Sequence, residues 1–118
     1  MYSQKELVGV DIFVDNPLLT ANQLGEKISA MPTKLKPITI TSRGLKIWPN
    51  SMIETPYAHH ACCRFQSSTD MKSLPATTHQ EIIQLLQHFD KAGIDVIQTE
   101  NLYTFDGVAG YTLAQDEQ

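Results

Sequence analysis

Apolar and polar residues alternate along four stretches of this chain, a pattern that is typical of β-strands with one buried face. The four stretches are residues 7–15, 38–48, 60–67 and 94–99. The first has the strongest pattern, because one of its faces consists entirely of β-branched residues, which favour strands. These residues are Val8, Val10, Ile12 and Val14. We expect that face to lie in the core, and we expect Pro17 to end the strand.

Two other segments show the spacing of apolar residues that predicts amphipathic helices. In the first, Thr20 and Gln23 have the spacing of a capping box, which predicts a helix that ends near residue 31. In the second, Thr78 is the predicted N-cap, with Glu81 at the capping-box position and Gly93 just beyond the C-terminus. The apolar stripes contain residues 24, 28 and 31 in the first helix and residues 82, 86 and 89 in the second.

The segment at residues 38–49 lies between the two predicted helices and is central to the expected fold. Its alternation slips by one residue at Ser42-Arg43-Gly44, which indicates either a β-bulge or a tight turn. A bulge leaves four strands in total, whereas a hairpin turn gives five. The segment contains the single tryptophan of the chain, Trp48. We expect Arg43 to be buried and to reach a carboxylate such as Asp106.

The predicted elements follow the order β-α-β-β-α-β, which is the split βαβ or ferredoxin-like pattern of an α+β fold. We expect an antiparallel sheet with both helices on one face, where Gly25 allows the first helix to approach closely. The opposite face would present Phe13, Thr39, Thr41 and Trp48. Such a partly apolar surface commonly binds a partner or a ligand.

Length and charge restrict the possible functions. A chain of 118 residues with 42% hydrophobic and 19% charged residues predicts one domain, residues 1–118, with its own core. The net charge of -4 and the scattered basic residues argue against nucleic-acid binding. We find no apolar run of 18 residues and no signal-peptide pattern, so we expect a cytoplasmic protein without membrane contact.

Residues with metal-binding or nucleophilic side chains concentrate in the sequence H-H-A-C-C-R-F at residues 59–65. His59, His60, Cys62 and Cys63 carry atoms that bind Zn²⁺. Because consecutive side chains of a strand point to opposite faces, only two or three of them could converge. A reactive thiol needs an accessible and electropositive setting, for which the adjacent Arg64 is weak evidence. We therefore predict no catalytic residue, no metal site and no cofactor.

Four separated motifs carry a family resemblance. They are G-V-D-I-F-V-D at residues 9–15, T-S-R-G-L-K-I-W-P at residues 41–49, His60 with Cys63-Arg64-Phe65, and L-Y-T-F-D-G-V-A-G-Y-T-L-A-Q at residues 102–115. In their order and spacing they resemble the C-terminal domain of the long-subunit bacterial NADP-dependent isocitrate dehydrogenases. In that family, nucleotide binding, metal binding and hydride transfer belong to preceding domains. The resemblance therefore implies an accessory module that packs against another subunit.

We predict a non-catalytic assembly or protein-interaction domain that forms a homodimer or associates with another protein subunit. Large aromatic side chains dominate interface energetics, so aromatic residues are the predicted interface anchors. These anchors are Phe13, Trp48, Tyr103 and Phe105. The alternative is a regulatory domain that binds a small metabolite near the loop after the first strand, residues 15–18. That loop lacks a glycine that would let backbone amides approach a carboxylate.

Overall fold

The computed structural model describes residues 5–51, 57–70, 73–105 and 112–113. These residues form, in chain order, β1 (Lys5–Thr20), α1 (Ala21–Ser29), β2 (Lys36–Ser42), β3 (Leu45–Trp48), β4 (Tyr57–Gln66), α2 (His79–Lys91), β5 (Val96–Phe105) and β6 (Thr112–Leu113).

The strands form one antiparallel sheet in the order β3-β2-β4-β1-β5-β6. β1 is the longest strand and lies between β4 and β5. β6 contains two residues and pairs with β5 at Leu102 and Tyr103. The predicted α+β class, with two helices and an antiparallel sheet, is therefore confirmed. The sheet has five longer strands, which is the hairpin alternative of the sequence prediction.

A two-residue turn between β2 and β3 accounts for the fifth strand. Ser42 pairs with Leu45, and the intervening Arg43 and Gly44 have φ angles of 53° and 77°. Positive φ at both central residues is typical of a type I′ turn, whose twist matches that of the flanking strands. Arg43 is exposed at this turn, so the expectation that it is buried was wrong. Its expected partner, Asp106, lies outside the described residues.

A single hydrophobic cluster joins the sheet to the helices. Its members from the two middle strands are Leu7, Val10, Ile12, Val14, Ala58, Ala61, Cys63 and Phe65. Its members from the two helices are Ala21, Leu24, Ile28, Ile82, Leu85 and Phe89. The rings of Phe65 and Phe89 pack edge to face, with centroids 5.7 Å apart. Because both helices pack into the same cluster, they cover the same face of the sheet.

The alternation along β1 is interrupted near both of its ends. Val8 is fully buried, but Leu7 rather than Val8 belongs to the core cluster. The register against β5 shifts between Leu7 and Gly9, and such a shift changes which residues share a face. Pro17 does not end the strand as we expected. β1 continues to Thr20 with irregular pairing to β4.

The predicted N-caps are present at both helices. The Thr20 hydroxyl accepts a hydrogen bond from the Gln23 N–H at 3.2 Å, and the Thr20 N–H donates to Gln23 Oε1 at 3.0 Å, which confirms the capping box. At α2 the Thr78 hydroxyl accepts from the Glu81 N–H at 3.1 Å. The Glu81 carboxylate, however, accepts from the Thr77 hydroxyl at 2.7 Å, so the reciprocal half of the second predicted box is replaced by a different contact.

The C-terminal end of α2 leads into β5. The C-cap residue Ala92 is followed by Gly93, whose φ of 75° fits the predicted role of this glycine beyond the helix. β5 runs from Val96 to Phe105, so the first part of the predicted tail is a strand. Among the described residues, no helix has the length and apolar character that crossing a membrane requires.

Candidate interaction surface

The face of the sheet opposite the helices carries two rows of side chains that cross four strands. The strand register places Glu100, Asp11, Arg64 and Thr39 in one row. It places Gln98, Phe13, Cys62 and Thr41 in the neighbouring row. The expectation that Phe13, Thr39 and Thr41 lie on this face is therefore confirmed.

An ion pair between Asp11 and Arg64 occupies the first row. The two oxygens of Asp11 accept hydrogen bonds from Nε and Nη2 of Arg64, both at 2.8 Å. The Asp11 side chain is only 4% exposed and the Arg64 side chain 25% exposed. Two parallel charge-assisted bonds fix both side chains in one orientation. Since both Asp11 oxygens are engaged by Arg64, we assign the pair a structural role rather than one in acid–base chemistry.

The two cysteines lie on opposite faces of β4. Burial raises the pKa of the Cys62 thiol to about 12, and the neighbouring Asp11 carboxylate adds to the rise, which Arg64 offsets in part. Burial also raises the pKa of Cys63, which lies in the core. Thiolate is the form that attacks electrophiles and binds metals. The raised pKa of both thiols therefore disfavours nucleophilic chemistry at this pair.

Exposure differs between the two ends of this face. At the end near Gly9, Gln66 and Leu102 are fully buried. A Cβ added at Gly9 would lie 2.3 Å from the Phe65 carbonyl oxygen, so the backbone there is closely packed. The other end is accessible to solvent: four of its side chains are partly buried and one is exposed. We call this accessible end the exposed patch, formed by Phe13, Thr39, Thr41, Cys62 and Gln98.

The four predicted interface anchors do not share one surface in the described part of the chain. Phe13 lies in the exposed patch. Trp48 packs partly buried against the core, beside Gly25 of α1. Tyr103 is 9% exposed and belongs to the core cluster, and its hydroxyl accepts a hydrogen bond from Asn101 Nδ2 at 3.4 Å. The side chain of Phe105 lies outside the described residues.

A shift in the strand register explains why Trp48 does not lie on the open face, where it was expected. The pairing of β2 with β3 shifts between Ile40 and Thr41, which changes the face that the following residues share. Trp48 pairs with the core residue Ile40, and its indole lies against α1 rather than on the open face. The expectation that Trp48 contributes to the open face was wrong.

Comparisons with known proteins cover nearly the whole chain. Residues 5–117 match the family described as bacterial isocitrate dehydrogenase, C-terminal domain. The chain is 42% identical to isocitrate dehydrogenase (NADP) of Rickettsia felis and 43% identical to that of Rickettsia typhi. Each of these matches covers 96% of this chain and 23% of the relative. The chain therefore spans less than a quarter of the length of these relatives.

A more distant relative and a solved structure agree with this assignment. Isocitrate dehydrogenase (NADP) of Thermus thermophilus is 29% identical over 96% of this chain and 22% of its own length. A crystal structure of a protein from Thermus thermophilus has a TM-score of 0.73 and 29% identity to this chain. That match covers 98% of this chain and 22% of the solved one.

Proposed function

This chain belongs to the family of bacterial isocitrate dehydrogenase C-terminal domains, and from this premise we propose that it is a non-catalytic assembly domain. The family resemblance predicted from the four motifs is thus confirmed. The match covers about 23% of the length of enzymes named isocitrate dehydrogenase (NADP), which supports a role as one module of a larger enzyme. We propose residues 1–118 as a single domain and NADP-dependent isocitrate oxidation as the activity it accompanies.

The strand order supports the finer assignment to the ferredoxin-like fold. β4 lies between β1 and β2, the two strands that α1 connects, which is the arrangement of a split βαβ unit. β5 then lies on the other side of β1, and β3 is an additional strand beside β2. We propose that the domain is a ferredoxin-like sheet extended by one hairpin strand.

The exposed patch is the observation that best supports an assembly role. Helices cover one face of the sheet, whereas Phe13 remains partly exposed on the other. A large aromatic residue at the accessible end of an otherwise polar row is a suitable anchor for a second protein surface. The rigid pair of Asp11 and Arg64 beside it would fix the shape of that surface. The proposed partner is a second copy of this chain or another subunit of the enzyme.

The metabolite-binding alternative required a loop after the first strand. Residues 15–18 belong to β1, which runs directly into α1. A shallow depression beside α2, lined by Ile83, Leu86, Gln87, Asp90 and Lys91, is open to solvent. We therefore favour assembly over metabolite binding.

The assembly proposal is tested by the solution mass of the purified chain, measured by light scattering over a dilution series. We expect a dimer or larger species, and we expect Phe13→Ala to weaken its association at least about tenfold, the effect of losing one interface hot spot. Lys91→Ala is the matched control, because Lys91 is exposed at the end of α2, on the helix-covered side of the sheet.

Two results would contradict parts of the proposal. If the Phe13→Ala variant associates like the wild type, as the Lys91→Ala control should, the exposed patch is not the interface. If the chain is monomeric at every concentration, self-association is excluded, and binding is then measured to a Rickettsia isocitrate dehydrogenase that lacks its own matching segment. Failure of that binding as well would overturn the assembly role.

A further inference from the structure

A one-residue bulge near the start of β4 places two histidines opposite one carboxylate. The flanking cross-strand pairs are Val14 with Ala61 and Asn16 with Ala58. Between these pairs β1 contains one residue, Asp15, whereas β4 contains two, His59 and His60. Bulges of this kind redirect side chains and often occur next to functional sites. The site lies at the edge of the exposed patch but shares no residue with it.

The backbone conformation of His60 explains why both imidazoles reach the same place. Its φ of 52° is left-handed, which is uncommon for a residue other than glycine. This conformation breaks the strict alternation of side chains along β4, and the two imidazole centroids are 4.0 Å apart. The Ser42 hydroxyl donates a hydrogen bond to the His59 carbonyl oxygen at 2.8 Å, which holds the bulge against β2.

Potential ligand atoms of the three side chains converge. The donor atoms of Asp15, His59 and His60 all lie within 4.8 Å of one another. His59 Nδ1 is 2.7 Å from Asp15 Oδ1. Both atoms are shielded from solvent and form this ion-pair contact, although their side chains are 43% and 34% exposed, and no other described residue gives either atom a hydrogen bond. Asn16 Oδ1 on the adjacent residue is shielded as well, and no described residue gives it a hydrogen bond. Buried polar atoms are normally satisfied, so this group requires an explanation.

We propose that Asp15, His59 and His60 bind a divalent transition-metal ion of the Zn²⁺ class. Two imidazole nitrogens and one carboxylate oxygen are ligands that Zn²⁺ takes, with water as the fourth ligand. Tetrahedral coordination at about 2.1 Å places ligand atoms about 3.4 Å apart. Small side-chain rotations would bring the three ligand atoms to that spacing. A bound ion would also satisfy the shielded atoms of Asp15 and His59.

This site replaces the candidate set that the sequence suggested. Of the four residues in that set, Cys63 points into the core and Cys62 lies in the row of Phe13 on the open face. Regular alternation along β4 would separate His59 from His60. Asp15 is 44 positions before His59 and reaches it only through the register of β1 and β4, so the sequence pattern does not show that it belongs to the site.

Calorimetric titration of the full, chelator-treated chain with ZnCl₂ tests the proposal. We expect about one ion per chain. We expect Asp15→Asn, His59→Gln and His60→Asn each to weaken the affinity at least about tenfold, since losing an outer-shell partner alone costs about 10- to 100-fold. Asparagine is chosen at position 60 because it tolerates the left-handed conformation. His79→Gln, on the exposed start of α2, is the matched control and should bind like the wild type.

Thermal unfolding with and without ZnCl₂ gives an independent measurement. An ion that binds only the folded state raises the melting temperature, so at one zinc concentration the wild type and His79→Gln should be stabilised more than the three site variants. Their melting temperatures without zinc show that they are folded. Absence of saturable binding by the wild type would overturn the proposal. Wild-type affinity in the site variants, or loss of binding in Cys62→Ser, would also overturn it.

Discussion

Asp11 and Arg64 form a bidentate ion pair whose two members differ in exposure, and this difference predicts an asymmetric effect of mutation. Removing Arg64 leaves a carboxylate that is 4% exposed without its main partner, whereas removing Asp11 leaves a guanidinium that can still contact water. Uncompensated buried charge is strongly destabilising. We expect Arg64→Ala to lower the free energy of unfolding by about 3 kcal/mol and Asp11→Ala by about half as much.

Urea unfolding measures this asymmetry. Lys46→Ala is the control, because it removes a cation from an exposed position and should change the stability by less than about 0.5 kcal/mol. Equal effects of the Arg64 and Asp11 substitutions would show that the buried carboxylate is satisfied by other groups.

The raised pKa of Cys62 predicts slow alkylation of the folded chain. At pH 8 an ordinary exposed thiol is about one quarter ionised, whereas a pKa of about 12 leaves about one thiol in 10,000 ionised. Iodoacetamide labelling followed by mass spectrometry should therefore show a rate at Cys62 that rises about tenfold per pH unit from pH 7 to pH 9. In urea the unfolded chain exposes Cys62 as an ordinary thiol. Its labelling rate should therefore approach a plateau above pH 8.5, where most of the thiol is ionised. Equal rates with and without urea would contradict the raised pKa.

At the scale of secondary-structure elements, the contact between α1 and β3 depends on the absence of a side chain at Gly25. A Cβ there would lie 2.1 Å from Trp48 Nε1, so Gly25→Ala forces the indole to move. Overpacking of this kind costs about 1–3 kcal/mol, so a cost near the middle of that range outweighs the gain of about 1 kcal/mol from the better helix propensity of alanine. We expect Gly25→Ala to be destabilising in the wild-type chain.

The effect of Gly25→Ala on the free energy of unfolding should change sign when Trp48 is replaced. In a Trp48→Ala background the indole is gone, so Gly25→Ala should stabilise the chain by about 1 kcal/mol through helix propensity. Thermal or urea unfolding of the two single variants and the double variant measures this coupling. Additive effects would show that the two positions do not contact each other. Trp48→Ala alone should be destabilising, because Trp48 packs on the core.

The elements that sequence predicted well are those specified by local chemistry. Thr20 and Gln23 form their capping box because both partners lie within one helical turn. Residues with unusual backbone conformations were harder to predict. Gly44 indicated a turn at its position, whereas nothing in the residue type of His60 required its left-handed φ. The face assigned to Trp48 was wrong because the register of β2 against β3 shifts, and the convergence of His59 with His60 was not predicted because a bulge interrupts β4.

At the scale of the whole molecule, the register of β1 against β4 decides which distant residues meet. It pairs Asp11 with Arg64, which is 53 positions later in the chain, and brings Asp15 to the two histidines. Hydrophobic alternation predicts that these strands exist and which face is buried, but register also depends on bulges. The open face with Phe13 is therefore predictable from the sequence pattern, whereas the ion pair and the cluster at the bulge are not.

The proposed role predicts that catalysis and assembly can be separated in the intact enzyme. The purified chain should show no isocitrate-dependent reduction of NADP, and turnover by this chain alone would overturn the non-catalytic role.

A chimera in which this chain replaces the matching 23% of the Rickettsia felis enzyme should reduce NADP and assemble like its parent, since the two segments are 42% identical. Phe13→Ala in the chimera should shift the mass measured by light scattering towards smaller species, and Lys91→Ala should not. If the chimera is active and Phe13→Ala does not affect its assembly, the interface lies elsewhere on the domain. Partner contacts centred on a different surface would not depend on that aromatic side chain.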